Sequence, residues 1–252
     1  MVDDFSRKVF VYIMKNKQHP AVIEAMQKHF LTQRSQPCGL NFFTQRTAMK
    51  SDMGSEFMNN AVRAYCLEIG CVQEFSCPGG GKWQNGTAER RIKELGRIAR
   101  TIAETGNMPE ASEAYALCQA ADVLNALPCS SNGGGSDATG LPPQYVYDGT
   151  TLDLDRFFAH GSYCTAHNDA DHIDDNKRVS ASQCVYLAQA HHLGAAGHVL
   201  WDYVNRRRLI VPSLTYNEWN YFPLRPNGQQ HITNMLTFAA AEDRKRASRL
   251  RC

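Results

Sequence analysis

The chain has no apolar run approaching the ~18 residues that a membrane-spanning helix needs, and its N-terminus lacks the basic-then-apolar pattern of a secretory signal. None of its nine cysteines forms a Cys-x-x-Cys pair. An odd, scattered set suits reduced structural thiols better than a disulfide framework, so the expectation is a cytosolic or nuclear chain without membrane contact. An excess of one charge is missing too. With 27 Lys and Arg against 25 Asp and Glu, the net charge of +2 says little about a polyanionic partner, and any such case rests on where the charges sit. No internal repeat is visible.

What is present describes a globular chain of one large or two modest domains: 252 residues, 43% hydrophobic and 21% charged. Val9–Met14 is β-branched and aromatic and predicts a buried strand. Pro20 suits the first turn of a helix that puts Val22, Ile23, Met26 and Phe30 on one side. A short strand is expected before Asp52, then a helix from Asn59 to Ile69 ended by Gly70, then a strand from Cys71 to Cys77. Pro78–Gly86, rich in glycine, predicts a mobile loop. Helices over Thr87–Glu104 and Pro109–Leu127 follow. The Ser, Asn and Gly residues of 128–140 predict a flexible connector. Beyond it, Phe157–Ala166, Gln183–Ala188, His198–Tyr203, Arg208–Pro212 and Tyr216–Phe222 read as short strands of a small β barrel. The arginine-rich last residues are expected to be unfolded.

Chemistry between nucleic-acid strands commonly uses two divalent ions about 4 Å apart, held by carboxylates converging from different elements. Hard oxygen donors of that kind suit magnesium or manganese. Asp52 ends a predicted strand, with Gly54 expected to permit a tight turn after it. Glu89 lies in the first turn of a predicted helix, where the helix dipole also favours an acid. At about 100° per residue, Glu89, Lys93, Arg97 and Arg100 share one face, while Ile92, Leu95, Ala99 and Ile102 gather on another. Such a cationic row is either a solvated face or a surface laid along phosphates. Cys164, His167, His172 and Cys184 fit no usual zinc spacing.

Taken together these motifs resemble the Copia-type retrotransposon integrases. Val2–Arg7 is similar to that family's Asp-Asp-Phe-Ser-Arg block. Asp52, Gly54, Glu56 and Phe57 match its Asp-Asn-Gly-Gly-Glu-Phe block; Ser76-Cys77-Pro78, Gln84-Asn85-Gly86 and Ala88-Glu89-Arg90 match the block around its last acid. The spacing between Asp52 and Glu89 is close to the family's. Asn125–Pro128, Leu141–Gly149 and the strands after residue 157 continue the likeness. Departures are Met53 and Ser55 in the second-acid block, an altered Gly79–Trp83 loop, and no zinc module of His and Cys ahead of the core.

The resemblance implies an α/β fold: an RNase H-like mixed sheet flanked by helices, incomplete at the N-terminus, followed by an SH3-like barrel. Its domains would be residues 1–127 (catalytic core lacking the first strand), 128–150 (linker), 151–226 (SH3-like) and 227–252 (basic tail). It further implies Mg2+ or Mn2+ on Asp52 and Glu89, and DNA contacts from Asn85, Arg90, Lys93, Arg97 and Arg100. The partners would be element and target DNA, with a homo-oligomer in the intact parent and a nuclear location after synthesis in the cytoplasm. The family's first catalytic Asp precedes the block with which this chain opens, and Asp3 and Asp4 align with non-catalytic acids. The expectation is therefore an integrase fragment that does not perform strand transfer alone, or else a non-catalytic DNA-binding module derived from one.

Overall fold

A computed structural model of the chain describes residues 1–14, 16–34, 47–76, 86–108, 110–132, 140–154, 157–166, 182–203 and 205–221. The predicted loop at 78–85, His167, His172 and the arginine-rich tail lie outside them. The chain divides into two compact units, Met1–Ile92 with Leu127–Thr151, and Lys93–Ala126 with Leu152–Cys252. Each unit takes two separate stretches of chain.

In the first unit, helix α1 (His19–Arg34) and helix α2 (Asn60–Glu68) flank a parallel pair, β1 (Thr47–Ser51) and β2 (Cys71–Phe75). Parallel neighbours need a crossover, and α2 supplies it. The apolar side predicted for α1 is the side that packs: Val22 and Met26 are buried with Val62, Cys66 and Cys71, while Ile23 and Phe30 close the margin. Asn59 caps α2, its side-chain oxygen accepting the Val62 N–H at 2.9 Å. Gly70, at φ 71°, follows the last turn in the left-handed conformation that glycine adopts without strain.

One expectation fails here, and most of the connector predicted at 128–140 lies outside the described residues. Val9–Met14 is not a strand: Val9 alone is buried, and its ladder is a single antiparallel bridge to Val2. A β-branched run becomes a strand only when a neighbour accepts its backbone hydrogen bonds along its length, and among the described residues the bridge to Val2 is extended only as far as Phe10, whose N–H donates to the Met1 carbonyl at 2.8 Å. The described residues on either side of 133–139 hold a 3-10 turn (Ser130–Asn132) and a short helix, α5 (Pro143–Asp148). Side chains tie both down. Asn132 donates to the Ser6 carbonyl at 2.8 Å, and Lys8 reaches the buried Asp148 carboxylate at 3.4 Å while lying over the Tyr147 ring.

In the second unit, helix α3 (Gly86–Thr105), which starts in the first unit, leads to α4 (Glu113–Ala126) and then to a five-stranded antiparallel sheet. The strands are β3 (Ser162–Ala166), β4 (Ser182–Gln189), β5 (His198–Asp202), β6 (Arg207–Val211) and β7 (Leu214–Tyr221), in the order β6-β5-β4-β3-β7. Each matches a predicted segment, although β3 starts later than expected and Phe157–Gly161 stays outside it. Among the described residues the sheet is open, with β6 and β7 at its edges.

The uninterrupted run Cys184–Ala188 has a physical reason. Cys184 and Tyr186 face a core with Cys164, Ala166, Leu200 and Val211, whereas Val185 and Leu187 face another with Met108, Val199 and Trp201. A strand covered on both faces has no polar side to alternate with.

Beside that core lies His160, 2% exposed. Its Nδ1–H donates to the Leu187 carbonyl at 2.7 Å, so Nε2 accepts the Ser112 hydroxyl at 3.2 Å. The neutral ring is satisfied at both nitrogens, and burial lowers its pKa to about 4.

Two predictions follow from these contacts. Asn59→Ala lowers the unfolding free energy by about 1 kcal/mol through loss of the cap, read as a shifted urea midpoint with unchanged slope. As pH falls from about 6.5 to about 4, the unfolded state takes up a proton on His160 that the folded state refuses. Stability is therefore full above that window and lost through it, by about 3 kcal/mol, and denaturation across pH finds this component absent in His160→Gln.

Candidate metal and nucleic-acid site

Strand β1 delivers Asp52 to the C-terminal edge of the parallel pair, the edge at which open α/β sheets generally bind ligands. The edge is fixed where Asp52 leaves it: the Ser51 carbonyl accepts the Ser76 N–H at 3.0 Å, joining the exits of β1 and β2. Asp52 is exposed, and its Oδ1 accepts the Gly54 N–H at 3.3 Å. The Gly54 carbonyl then accepts from Phe57 and Met58, closing the turn into α2. Glycine is not required for this. Gly54 has no positive φ, and a Cβ there would meet the movable Glu56 carboxylate at 2.7 Å.

Glu89 stands exposed in the first turn of α3. That turn is anchored by Arg7, which donates to Thr87 Oγ1 at 3.3 Å, and by Arg91, which donates to the Cys129 sulfur. Arg90 is exposed, and Asn85 lies outside the described residues. Among the described residues neither acid belongs to a group of three or more potential ligands that converge within 4.8 Å. Each is a solvent-accessible carboxylate, the donor type that a hard cation takes. Asp3 and Asp4 are otherwise engaged: Asp3 Oδ2 accepts the Ser6 N–H at 2.7 Å and the Ser6 hydroxyl at 2.6 Å, and Asp4 pairs with Arg7.

Farther along α3, Lys93, Arg97 and Arg100 are all exposed, while Leu95 and Ala99 are buried as their face predicts. Ile92 departs from the prediction and is 62% exposed. It stands about 60° from Glu89 around the helix, at the margin of the apolar face.

A second constellation escaped the sequence reading. Asp122 on α4 is buried, and its Oδ1 lies 3.0 Å from Nε2 of His191 and 3.0 Å from Nε2 of His192. Both histidines belong to the 3-10 turn Ala190–Leu193, which Gly194 ends at φ 76°. Burial opposes ionisation of Asp122, but hydrogen bonds and charge from the two imidazoles outweigh it and hold the carboxyl below its ordinary range. The signals were an acid among the alanines of α4 and a His-His pair beside a glycine. Cys164 and Cys184, by contrast, face each other across β3 and β4, and burial raises both thiols to about 12. Protonated thiols of that kind are poor ligands.

No protein-family model matches the chain. Over 128 residues, 50% of this chain, it is 30% identical to the retrovirus-related Pol polyprotein from transposon TNT 1-94 of Nicotiana tabacum. The matched region is 9% of that relative's length. Half of this chain is thus related in sequence to a retrotransposon Pol polyprotein, which bears out the resemblance read from its motifs. Two solved structures are similar at TM-scores of 0.43 and 0.36: a simian T-cell lymphotropic virus intasome in complex with PP2A regulatory subunit B56 gamma, and the catalytic core domain of BIV integrase. The first is 12% identical and covers 89% of this chain and 72% of its own; the second is 19% identical and covers 53% and 74%. At these scores neither likeness carries an argument.

Because Asp52 and Glu89 are exposed and make no ion pair among the described residues, neither should matter to folding. Asp52→Asn and Glu89→Gln are expected to change the unfolding free energy by less than about 0.5 kcal/mol. A larger loss in denaturant titration would show that these acids hold the fold and are not free for a ligand.

Proposed function

We propose that this chain is the integrase region of a Copia-type retrotransposon Pol polyprotein and that it binds DNA along α3. The observation that carries this reading is the kinship with a retrovirus-related Pol polyprotein over half of the chain. Two features support it: an acid at the exit of a parallel strand, and a helix whose first turn presents Glu89 and Arg90 and whose later turns present Lys93, Arg97 and Arg100.

Asp52 and Glu89 are the residues that would hold Mg2+ or Mn2+. When bound, such ions activate the attacking oxygen and stabilise the leaving one in strand transfer between DNA ends. Strand transfer, by a homo-oligomer in the nucleus, is the activity proposed for the parent. For this chain the reading is narrower: it assigns the ion to Asp52 and Glu89, since the Asp3 and Asp4 carboxylates are committed to Ser6 and Arg7. DNA binding without strand transfer is the proposed behaviour.

The test is fluorescence anisotropy with a labelled duplex across a salt series. Affinity should fall steeply with salt, and removing three phosphate contacts by changing Lys93, Arg97 and Arg100 to Ala should flatten the log-log slope by about 2 to 3. Arg97→Glu should weaken binding about tenfold or more, while Asp52→Asn leaves metal-free binding unchanged. Affinity indifferent to both salt and Arg97→Glu would sink the reading.

A further inference from the structure

The trio on α4 and the His191-His192 turn lies outside everything the proposed DNA chemistry uses. Among the described residues it is the group of three or more His, Cys, Asp and Glu side chains that brings its potential ligand atoms within 4.8 Å of one another. We propose that Asp122, His191 and His192 form a mononuclear site for a divalent transition metal, with Zn2+ the ion it takes.

The three donors are spaced for such an ion. Donors around a tetrahedral zinc, each about 2.0 to 2.1 Å from the metal, stand about 3.3 Å apart. Here Oδ1 lies 3.0 Å from each imidazole nitrogen, so an ion enters with small outward movements of the rings. One atom of the trio is unsatisfied. Asp122 Oδ2 is buried and has no hydrogen-bond partner among the described residues, although leaving such an oxygen unpaired costs about 1 to 3 kcal/mol. Hydrogen bonds from both imidazoles would crowd one oxygen and leave the other with nothing. A cation beside the carboxylate supplies the missing interaction.

The two imidazoles are also held in place. The rings of His191 and His192 lie 4.0 Å apart at 36° to one another. Their turn is held by the Ala190 N–H to the Gly197 carbonyl at 2.9 Å, the Gly194 N–H to the His191 carbonyl at 2.9 Å, and the Ala195 N–H to the Ala190 carbonyl at 3.2 Å. Adjacent residues are ordinarily unable to present both imidazoles to one atom, and this turn makes them converge. Access is one-sided: the side chains of Asp122 and His192 are 3% and 9% exposed, that of His191 53%. Three protein donors leave a fourth tetrahedral position, which suits water. Imidazole donors select zinc-like ions over magnesium, so this site and the carboxylates of the first unit call for different metals. Cys118, one turn before Asp122, is not among the side chains whose potential ligand atoms converge, and is not counted as a ligand.

The experiment uses the full reduced chain. Zn2+ titrated calorimetrically should bind with one equivalent and should not be displaced by about a hundredfold excess of Mg2+. Co2+ in its place should give a tetrahedral visible spectrum without the near-ultraviolet band of a cobalt-thiolate bond, which separates this site from adventitious binding at cysteines. His192→Ala should weaken Zn2+ binding more than about 100-fold, beyond the effect usual for an outer-shell change. Half-exposed His191 provides the variant certain to test the idea even if the buried positions fail to fold: His191→Ala should weaken binding at least tenfold with an unaltered circular dichroism spectrum. No stoichiometric binding, binding unchanged in His191→Ala, or a thiolate band would each overturn the proposal. None of these outcomes bears on DNA binding, which rests on other residues.

Discussion

The parallel pairing of β1 with β2 is the constraint on which the position of Asp52 in the first unit depends. Five consecutive pairs, from Thr47 with Cys71 to Ser51 with Phe75, fix the register, and the Ser76 N–H extends it by one more bond to the Ser51 carbonyl. A slip of one residue would turn every side chain of β1 to the opposite face. Register is protected by the buried end residues Cys71 and Ser51 and by the packing of α2, whose Val62 and Cys66 are buried against α1. Asp52 therefore leaves the sheet at a defined place. Its exposure there has a cost elsewhere, because an exposed acid contributes nothing to the core that positions it.

How far this could be read from sequence depends on which force decides each element. The faces of α1 and α2 were legible because apolar residues at helical spacing have one place to go, as Val22, Met26, Val62 and Cys66 show. So were the five strands of the second unit, where short β-branched and aromatic runs alternate with turn residues. Val9–Met14 misled because strand propensity describes a preference for a pleated, paired surface, and pairing is a tertiary fact. The residues that flank 133–139 show a different limit. Asn132 and Asp148 find partners in Ser6 and Lys8, more than a hundred residues away in sequence. No local window contains that information.

The candidate sites divide along the same line. Asp52 and Glu89 were found because the motifs around them are contiguous stretches with a recognisable order. Asp122, His191 and His192 were not, since the acid and the imidazoles are separated in sequence by β3 and β4 and meet only when the 3-10 turn docks near α4. Even so, an acid in the interior of an alanine-lined helix is a clue of a kind that composition hides: a buried carboxylate demands a partner, and the partner must come from somewhere. Asking where Asp122 found one would have led to the two histidines.

The second unit shows how a protein interior treats ionisable groups according to what faces them. His160, given a carbonyl and a hydroxyl, stays neutral and is held there by burial. Cys164 and Cys184, given each other and an apolar core, stay protonated. Asp122 alone in this comparison is driven toward ionisation despite equal burial, because two nitrogens converge on one of its oxygens. A hydrophobic residue in its place would be cheaper for folding, and a single histidine would satisfy one lone pair as well as two do. Convergence of two imidazoles on a buried carboxylate, with the second oxygen left without a partner, is an arrangement that stability alone does not call for. That excess is the physical ground for assigning the trio to ion binding.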